Sequence, residues 1–268
     1  MRDPANARSF LFVPATRPER ISKAFASGAD AVIVDLEDAV APADKEAARA
    51  SLLAALAADA GVFVRINAAG TPWHDGDMDC LDHPGIAGVM LAKAETADDV
   101  ARMPKPVIPL IETARGLAAA RTIAEVAGVV RLAFGTIDFM LDLGLPEDAE
   151  AMAIYRAELA LASRLAGLAP AIDGVTPAID DVDRVIAETR RALAFGFGAR
   201  LCIHPAQIGP VHDTMRPGDD ASRRARRIVA AAEAAGGGAI QLDGAMLDRP
   251  LVAQAEALLA RAGEQKGR

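Results

Sequence analysis

At 268 residues and 52% hydrophobic content the chain can bury a sizeable core, which excludes extended disorder. A formal net charge of −8, from 29 Lys and Arg against 37 Asp and Glu, argues against a nucleic-acid partner, which needs a basic face. The apolar run FLFV is too short for a signal peptide or membrane span, and Cys80 and Cys202 fall in no metal-ligand or redox spacing, so a soluble cytoplasmic protein with two free thiols is expected.

Short apolar runs rich in Val, Ile and Leu recur with helix-permitting stretches between them. In chain order they are SFLFVP, DAVIVDLE, VFVRIN, AGVMLAK, PVIPLIET, VVRLAFG, PAIDGV and ARLCIH. Such runs alternating with helices signal βα units around a parallel sheet buried on both faces. Eight of them predict a (β/α)8 TIM barrel over residues 1–217 in preference to an open doubly wound sheet. Ala-rich helices are expected at Lys45–Ala58, Glu150–Ala166 and Asp181–Ala194.

Beyond Pro217 the pattern changes, and residues 218–268 read as a C-terminal helical and hairpin appendage. Its first helix carries Arg223, Arg224, Arg226 and Arg227, which read as a solvated basic face. A flexible Gly236-Gly237-Gly238 follows, then AIQLDGAMLD as a hairpin turning at Asp243-Gly244, then a last helix from about Pro250.

Active sites of such barrels form at the C-terminal strand ends, so polar residues that terminate apolar strands are the first candidates. Strand two ends in Asp35, Glu37 and Asp38, strand three in Arg65 and Asn67, and strand five in Glu112. Strand six ends in Gly135 through Asp138, and strand eight in His204. Several acids and an arginine at one mouth suit a hard divalent cation with an anionic substrate, and magnesium needs only one or two protein carboxylates. The period of two puts Ile33, Asp35 and Glu37 on one face of strand two, with Asp38 just beyond. For Glu112 and Asp138 the bland alternative is a carboxylate at a helix start, and for Arg65 a barrel salt bridge.

Two motif-like stretches fail on inspection. DGDMD sets Asp75, Asp77 and Asp79 in calcium-loop spacing, but Cys80 and Ile86 stand where a glycine and a glutamate are required. FGFGARL has Gly196 and Gly198 but Leu201 in place of a third glycine, and it precedes a strand, so it is no dinucleotide fingerprint. Thr16-Arg17-Pro18-Glu19 reads as a capping box starting a helix after strand one, where Arg17 and Arg20 either are solvated or meet a phosphate.

RSFLFVPATRPERISKAFASGADAVIVDLEDAVAP, FVRIN, PLIETARG, AFGTIDFMLDLG, AIDGV and IHPAQI occur in this order along the whole chain. In these stretches the chain resembles the citrate lyase beta subunit family, which includes malyl-CoA and citramalyl-CoA lyases, within the HpcH/HpaI aldolase superfamily. The resemblance implies a (β/α)8 barrel, usually a trimer, with Mg2+ held by Glu112 and Asp138. It implies that Arg65 meets the substrate carboxylate or thioester carbonyl, and that Asp248 of GAMLDRP reaches a neighbouring subunit's site as general acid or base. Asp248 has the alternative of capping the last helix. The strand-two acids Glu37 and Asp38 then become groups that reach magnesium through water.

The implied reaction is reversible cleavage of a 3-hydroxyacyl thioester into an acyl thioester and a 2-oxo acid, with no organic cofactor. Backbone N–H groups near Gly135 and Thr136 would hold the oxo-acid carboxylate, and Arg17, Arg20 and His204 would lie near a pantetheine entrance. The thioester carrier is either coenzyme A or an acyl-carrier protein. Competing readings are a thioester hydrolase on the same scaffold and a subunit working inside a citrate lyase complex. A related pyruvate aldolase chemistry is disfavoured, because those enzymes carry a histidine base where this chain has Asp38.

Overall fold

The computed structural model of the chain describes residues 3–148, 150–234, 240–242 and 245–262. Two compact units result, Met1–His212 and Asp213–Arg268.

The first unit is a closed barrel of eight parallel strands in the order β1 to β8. The strands are β1 Ser9–Pro14, β2 Ala31–Asp35, β3 Val62–Ile66, β4 Ile86–Leu91, β5 Val107–Ile111, β6 Ala133–Phe134, β7 Ile172–Asp173 and β8 Ala199–Cys202. Each coincides with one of the eight apolar runs. Between them lie α1 Ile21–Ala26, α2 Lys45–Ala55, α3 His74–Cys80, α4 Ala97–Ala101, α5 Ala114–Ala118, α6 Ala120–Ala124, α7 Thr136–Leu143, α8 Met152–Leu165 and α9 Val182–Ala194. After β8 comes α10 Ile208–Met215.

Alternation along each strand builds the barrel in layers. Phe10, Ala31, Ile33, Phe63, Met90, Ile108, Leu110, Ala133, Ile172, Ala199 and Leu201 form one buried apolar cluster that fills the interior. Phe63 fits because the facing position on β4 is Gly88, where any Cβ would collide with its ring. Arg131, just before β6, is fully buried and donates to the carbonyls of Pro4, Ala7 and Pro170, which lie near the N-terminal strand ends. One step of two residues further along the same strands, the inward positions become Asp35, Arg65, Glu112 and Gly135, so the apolar plug ends under a polar layer.

Three expectations need correction. The Lys45–Ala58 helix stops at Ala55, because Leu56 turns extended and buries its side chain. Thr16 starts no capping box: the segment is a single 3-10 turn, Pro18–Arg20, with Arg17 in the cap position and no side-chain cap hydrogen bond. Pro18 has no N–H to cap, and Glu19 is taken by Arg17 Nε at 2.6 Å. Asp181 is the N-cap of α9 instead of its first residue, accepting from the Arg184 N–H.

The second unit contains α11 Asp219–Ala234, an antiparallel pair β9 Ile240–Leu242 and β10 Ala245–Leu247, and α12 Arg249–Arg261. Ala225, Ile228, Val229, Leu247 and Ala255 form its core. The expected glycine run and the Asp243-Gly244 turn lie outside the described residues. No helix of the described residues is long and apolar enough to cross a membrane.

Candidate active site

The mouth of the barrel holds a cavity of about 400 Å³ lined by Asp35, Asp38, Arg65, Glu112, Thr136 and Asp138 among others, with Phe12, Leu110, Val175 and Leu201 as its apolar floor. Its polar groups come from the ends of four strands, β2, β3, β5 and β6.

Arg65 is fixed from β2. Asp35 and Arg65 are register partners on adjacent strands. Arg65 Nε donates to Asp35 Oδ1 at 2.7 Å and Nη2 donates to Oδ2 at 2.6 Å, a bidentate fork. Its Nη1 lies 3.0 Å from Glu37 Oε2 and 3.5 Å from Asp38 Oδ2, and its guanidinium stacks 4.8 Å from the Phe12 ring centroid. Burial opposes the charge, but Asp35 and Glu37 outweigh it and hold the guanidinium protonated above the ordinary arginine range. The salt-bridge reading of Arg65 is thus present in the structure, and it aims the remaining Nη1 edge at the cavity.

The loop after β2 is clamped from beneath. Buried Lys45 donates from Nζ to the carbonyls of Leu36 and Glu37, both at 2.9 Å, and lies over the Trp73 ring. Asn67, ending β3, donates to the Leu36 carbonyl at 3.0 Å. It is held in turn by Asp77, which accepts from the Asn67 backbone N–H and side chain and from Arg49. Asp77 of the rejected calcium-like stretch therefore anchors the site's frame.

Glu112 and Asp138 converge on one position. The Lys93 ammonium lies 3.9 Å from Glu112 Oε1 and 3.8 Å from Asp138 Oδ1 while donating to Glu37 Oε1 at 2.8 Å. Glu112 is 1% exposed, and burial, reinforced by Glu37, pushes its carboxyl up to about 8 against the opposing pull of Lys93 and Arg65. Asp138, in the first turn of α7, keeps 32% of its side chain exposed. Burial likewise raises Glu37, whose Oε2 is buried without a hydrogen bond although it faces Arg65.

These groups fit a hard divalent cation. The donors are oxygens from two carboxylates that already share a cation between them, which suits a metal that keeps water or substrate oxygens in its remaining positions. Among the described residues no group of three or more His, Cys, Asp and Glu forms a fuller cage. Gly135 permits the arrangement, because a Cβ there would collide with the Glu112 carboxylate. Gly174, after β7, does the same for Thr136. The Gly135 N–H is committed to the Ile111 carbonyl at 2.9 Å, so the free first-turn donors of α7 begin at Thr136.

The HpcH/HpaI aldolase/citrate lyase family pattern matches residues 8–205. This chain belongs to that family. It is 40% identical over 264 residues to a citrate lyase subunit beta-like protein of Mycobacterium tuberculosis, covering 95% of each chain. A crystal structure of protein CitE from M. tuberculosis in complex with magnesium, acetoacetate and coenzyme A matches with a TM-score of 0.89 at 39% identity, covering 97% of this chain and 100% of that one. A citrate lyase beta subunit from the same organism, complexed with oxaloacetate and magnesium, matches with a TM-score of 0.74 at 39% identity, covering 80% and 99%. As a family member the protein is an enzyme of the carbon–carbon lyase class.

Of the residues expected at the family's site, Glu37, Asp38, Arg65, Glu112, Gly135, Thr136 and Asp138 meet at one mouth. Arg17 and Arg20 are exposed on the turn after β1, Arg17 paired with Glu19. His204 accepts from the Ala206 N–H and caps a 3-10 turn, Pro205–Gln207, next to cavity-lining Ile203. Asp248 belongs to the second unit, where it caps α12 by accepting from the Leu251 N–H at 3.2 Å. Sequence reasoning did not nominate Lys93, although it ends the fourth apolar run as Glu112 ends the fifth. Nor did it nominate Asp173 at the end of β7, held by Arg156 and Arg200 in a buried cluster.

Proposed function

We propose that the protein is a Mg2+-dependent lyase that reversibly cleaves a 3-hydroxyacyl thioester of the malyl, citramalyl or citryl type into an acyl thioester and a 2-oxo acid. The observation that carries this reading is the convergence of the Glu112 and Asp138 carboxylates on one position in a cavity faced by Arg65. The relatives crystallised with magnesium, coenzyme A, acetoacetate and oxaloacetate support both the metal and the two substrate halves.

Glu112 and Asp138 would hold the metal, which supplies Lewis-acid polarisation of the substrate's oxygen atoms. Cleavage removes the proton of the substrate hydroxyl and moves the carbon–carbon bonding pair onto the thioester fragment as an enolate. Asp38 is the acceptor for that proton, since it lines the cavity with 56% of its side chain exposed whereas Glu37 is enclosed by Lys93 and Arg65. Arg65 balances the enolate charge through its Nη1 edge, held in place by Asp35. The first-turn N–H groups from Thr136 onward bind the oxo-acid carboxylate. The enolate carbon would then be protonated by Asp248 of a neighbouring subunit in a homotrimer.

Coenzyme A would be the carrier, as in the relative crystallised with it, and Arg17, Arg20 and His204 would meet its pantetheine and phosphates, with an acyl-carrier protein as the competing carrier. Two buried free thiols, Cys80 and Cys202, suit a reducing cytoplasm. Incubation with malyl-CoA and Mg2+ tests the reading: acetyl-CoA with glyoxylate is expected. Free malate with coenzyme A instead assigns the scaffold to thioester hydrolysis.

A further inference from the structure

Lys93 stands out in the cluster by its backbone and by its reach. It is the one non-glycine among the described residues with a positive φ, at 46°, a region that side chains rarely adopt and that functional sites retain. This bend lets one residue make two contacts with the acids. Its N–H donates to Glu112 Oε1 at 2.8 Å, and its ammonium donates to Glu37 Oε1 at 2.8 Å. The same ammonium is within 4 Å of Glu112 and Asp138, at 3.9 and 3.8 Å.

The other cation of the cavity cannot serve these acids equally, because Arg65 has two of its nitrogens committed to Asp35. Lys93 is thus what holds three carboxylates from β2, β5 and α7 together. An imine-forming lysine must be neutral to attack a carbonyl, and an ammonium surrounded by three acids is not. Its charge, on a four-carbon stem whose side chain is 35% exposed, is what the site uses.

We propose that Lys93 is a positioning residue that acts as an internal counter-cation: it keeps Glu112 and Asp138 facing each other when no metal is bound, yields the place between them to the divalent ion, and stays anchored on Glu37. This rests on Glu112 and Asp138 being the metal ligands. Competition between the Lys93 ammonium and the divalent ion weakens metal binding while preserving a preformed site.

The test compares wild type with Lys93→Met, and with Lys93→Gln as a second variant, by Mg2+ titration read through the unfolding temperature. About pH 9 is used so that protons compete little for the carboxylates. The variants are expected to unfold at lower temperature than wild type without metal, to gain more from Mg2+, and to bind it about fivefold or more tightly. Equal loss of stability with and without Mg2+, weaker Mg2+ binding, or variants that fold in neither condition would give Lys93 a purely structural role and overturn the proposal. A wild type that shows no Mg2+ response overturns the ligand assignment as well; a normal wild type with contrary variants overturns the role of Lys93 alone.

Discussion

Asp35 and Arg65 show how a strand-end residue acquires a function through its neighbour. The bidentate pair is buried, so removing one partner strands the other's charge. Asp35→Asn should cost about 3–5 kcal/mol of stability, and the loosened Arg65 should lower kcat about 10²-fold or more, measured by urea unfolding and steady-state kinetics. Glu112 sets a pH dependence of its own. Burial raises its carboxyl to about 8, and the carboxyl must ionise to bind a cation. Mg2+ affinity should therefore rise about tenfold per pH unit up to about 8 and level above it, as followed by titration calorimetry. Because the folded protein binds this proton more tightly than the unfolded chain, the group's contribution to metal-free stability falls as pH rises from the ordinary carboxylate range toward 8. The direct acids and Arg65 are legible in the sequence because each ends an apolar strand. Lys93 ends an apolar run as well, but its meaning is not legible there, because it comes from carboxylates after β2, after β5 and in α7 that only the closed barrel brings around it.

At the scale of elements, the site depends on two glycines that let strand ends approach. Gly135→Ala would drive a methyl into the Glu112 carboxylate, and Gly174→Ala one into Thr136 at the start of α7. Metal affinity is expected to fall about 10- to 100-fold in Gly135→Ala, as for a lost support of a ligand. Gly174→Ala is expected to raise KM for the 2-oxo acid in the condensation direction more than it lowers metal affinity. The strands were readable from their apolar runs, since burial on both faces leaves little polar signal to confuse them. Element ends were less so: β6 and β7 are only two residues long, Ala133–Phe134 and Ile172–Asp173, although the Gly135 N–H still donates to the Ile111 carbonyl just past the end of β6. The turn after β1 likewise follows Pro18 and the Arg17–Glu19 pair, which the capping pattern alone does not reveal.

The whole molecule consists of a barrel carrying a metal-type site and a separate C-terminal unit carrying Asp248. If the proton donor comes from a neighbouring subunit, Asp248→Asn and Glu112→Gln should each be inactive alone yet regain activity when co-expressed, because mixed oligomers contain some sites with both intact groups. Absence of any recovery would place the whole reaction within one chain. The cap on α12 makes Asp248→Asn the suitable variant, since asparagine also caps a helix and preserves the unit's fold.

The most direct measurement is a crystal structure of the protein with Mg2+ and glyoxylate or pyruvate. One metal ion coordinated by Glu112 and Asp138 is expected, with the carboxylate of the oxo acid toward Thr136 and Lys93 held on Glu37. A metal bound elsewhere, or an oxo acid held by Arg65 with no metal on Glu112, would contradict this.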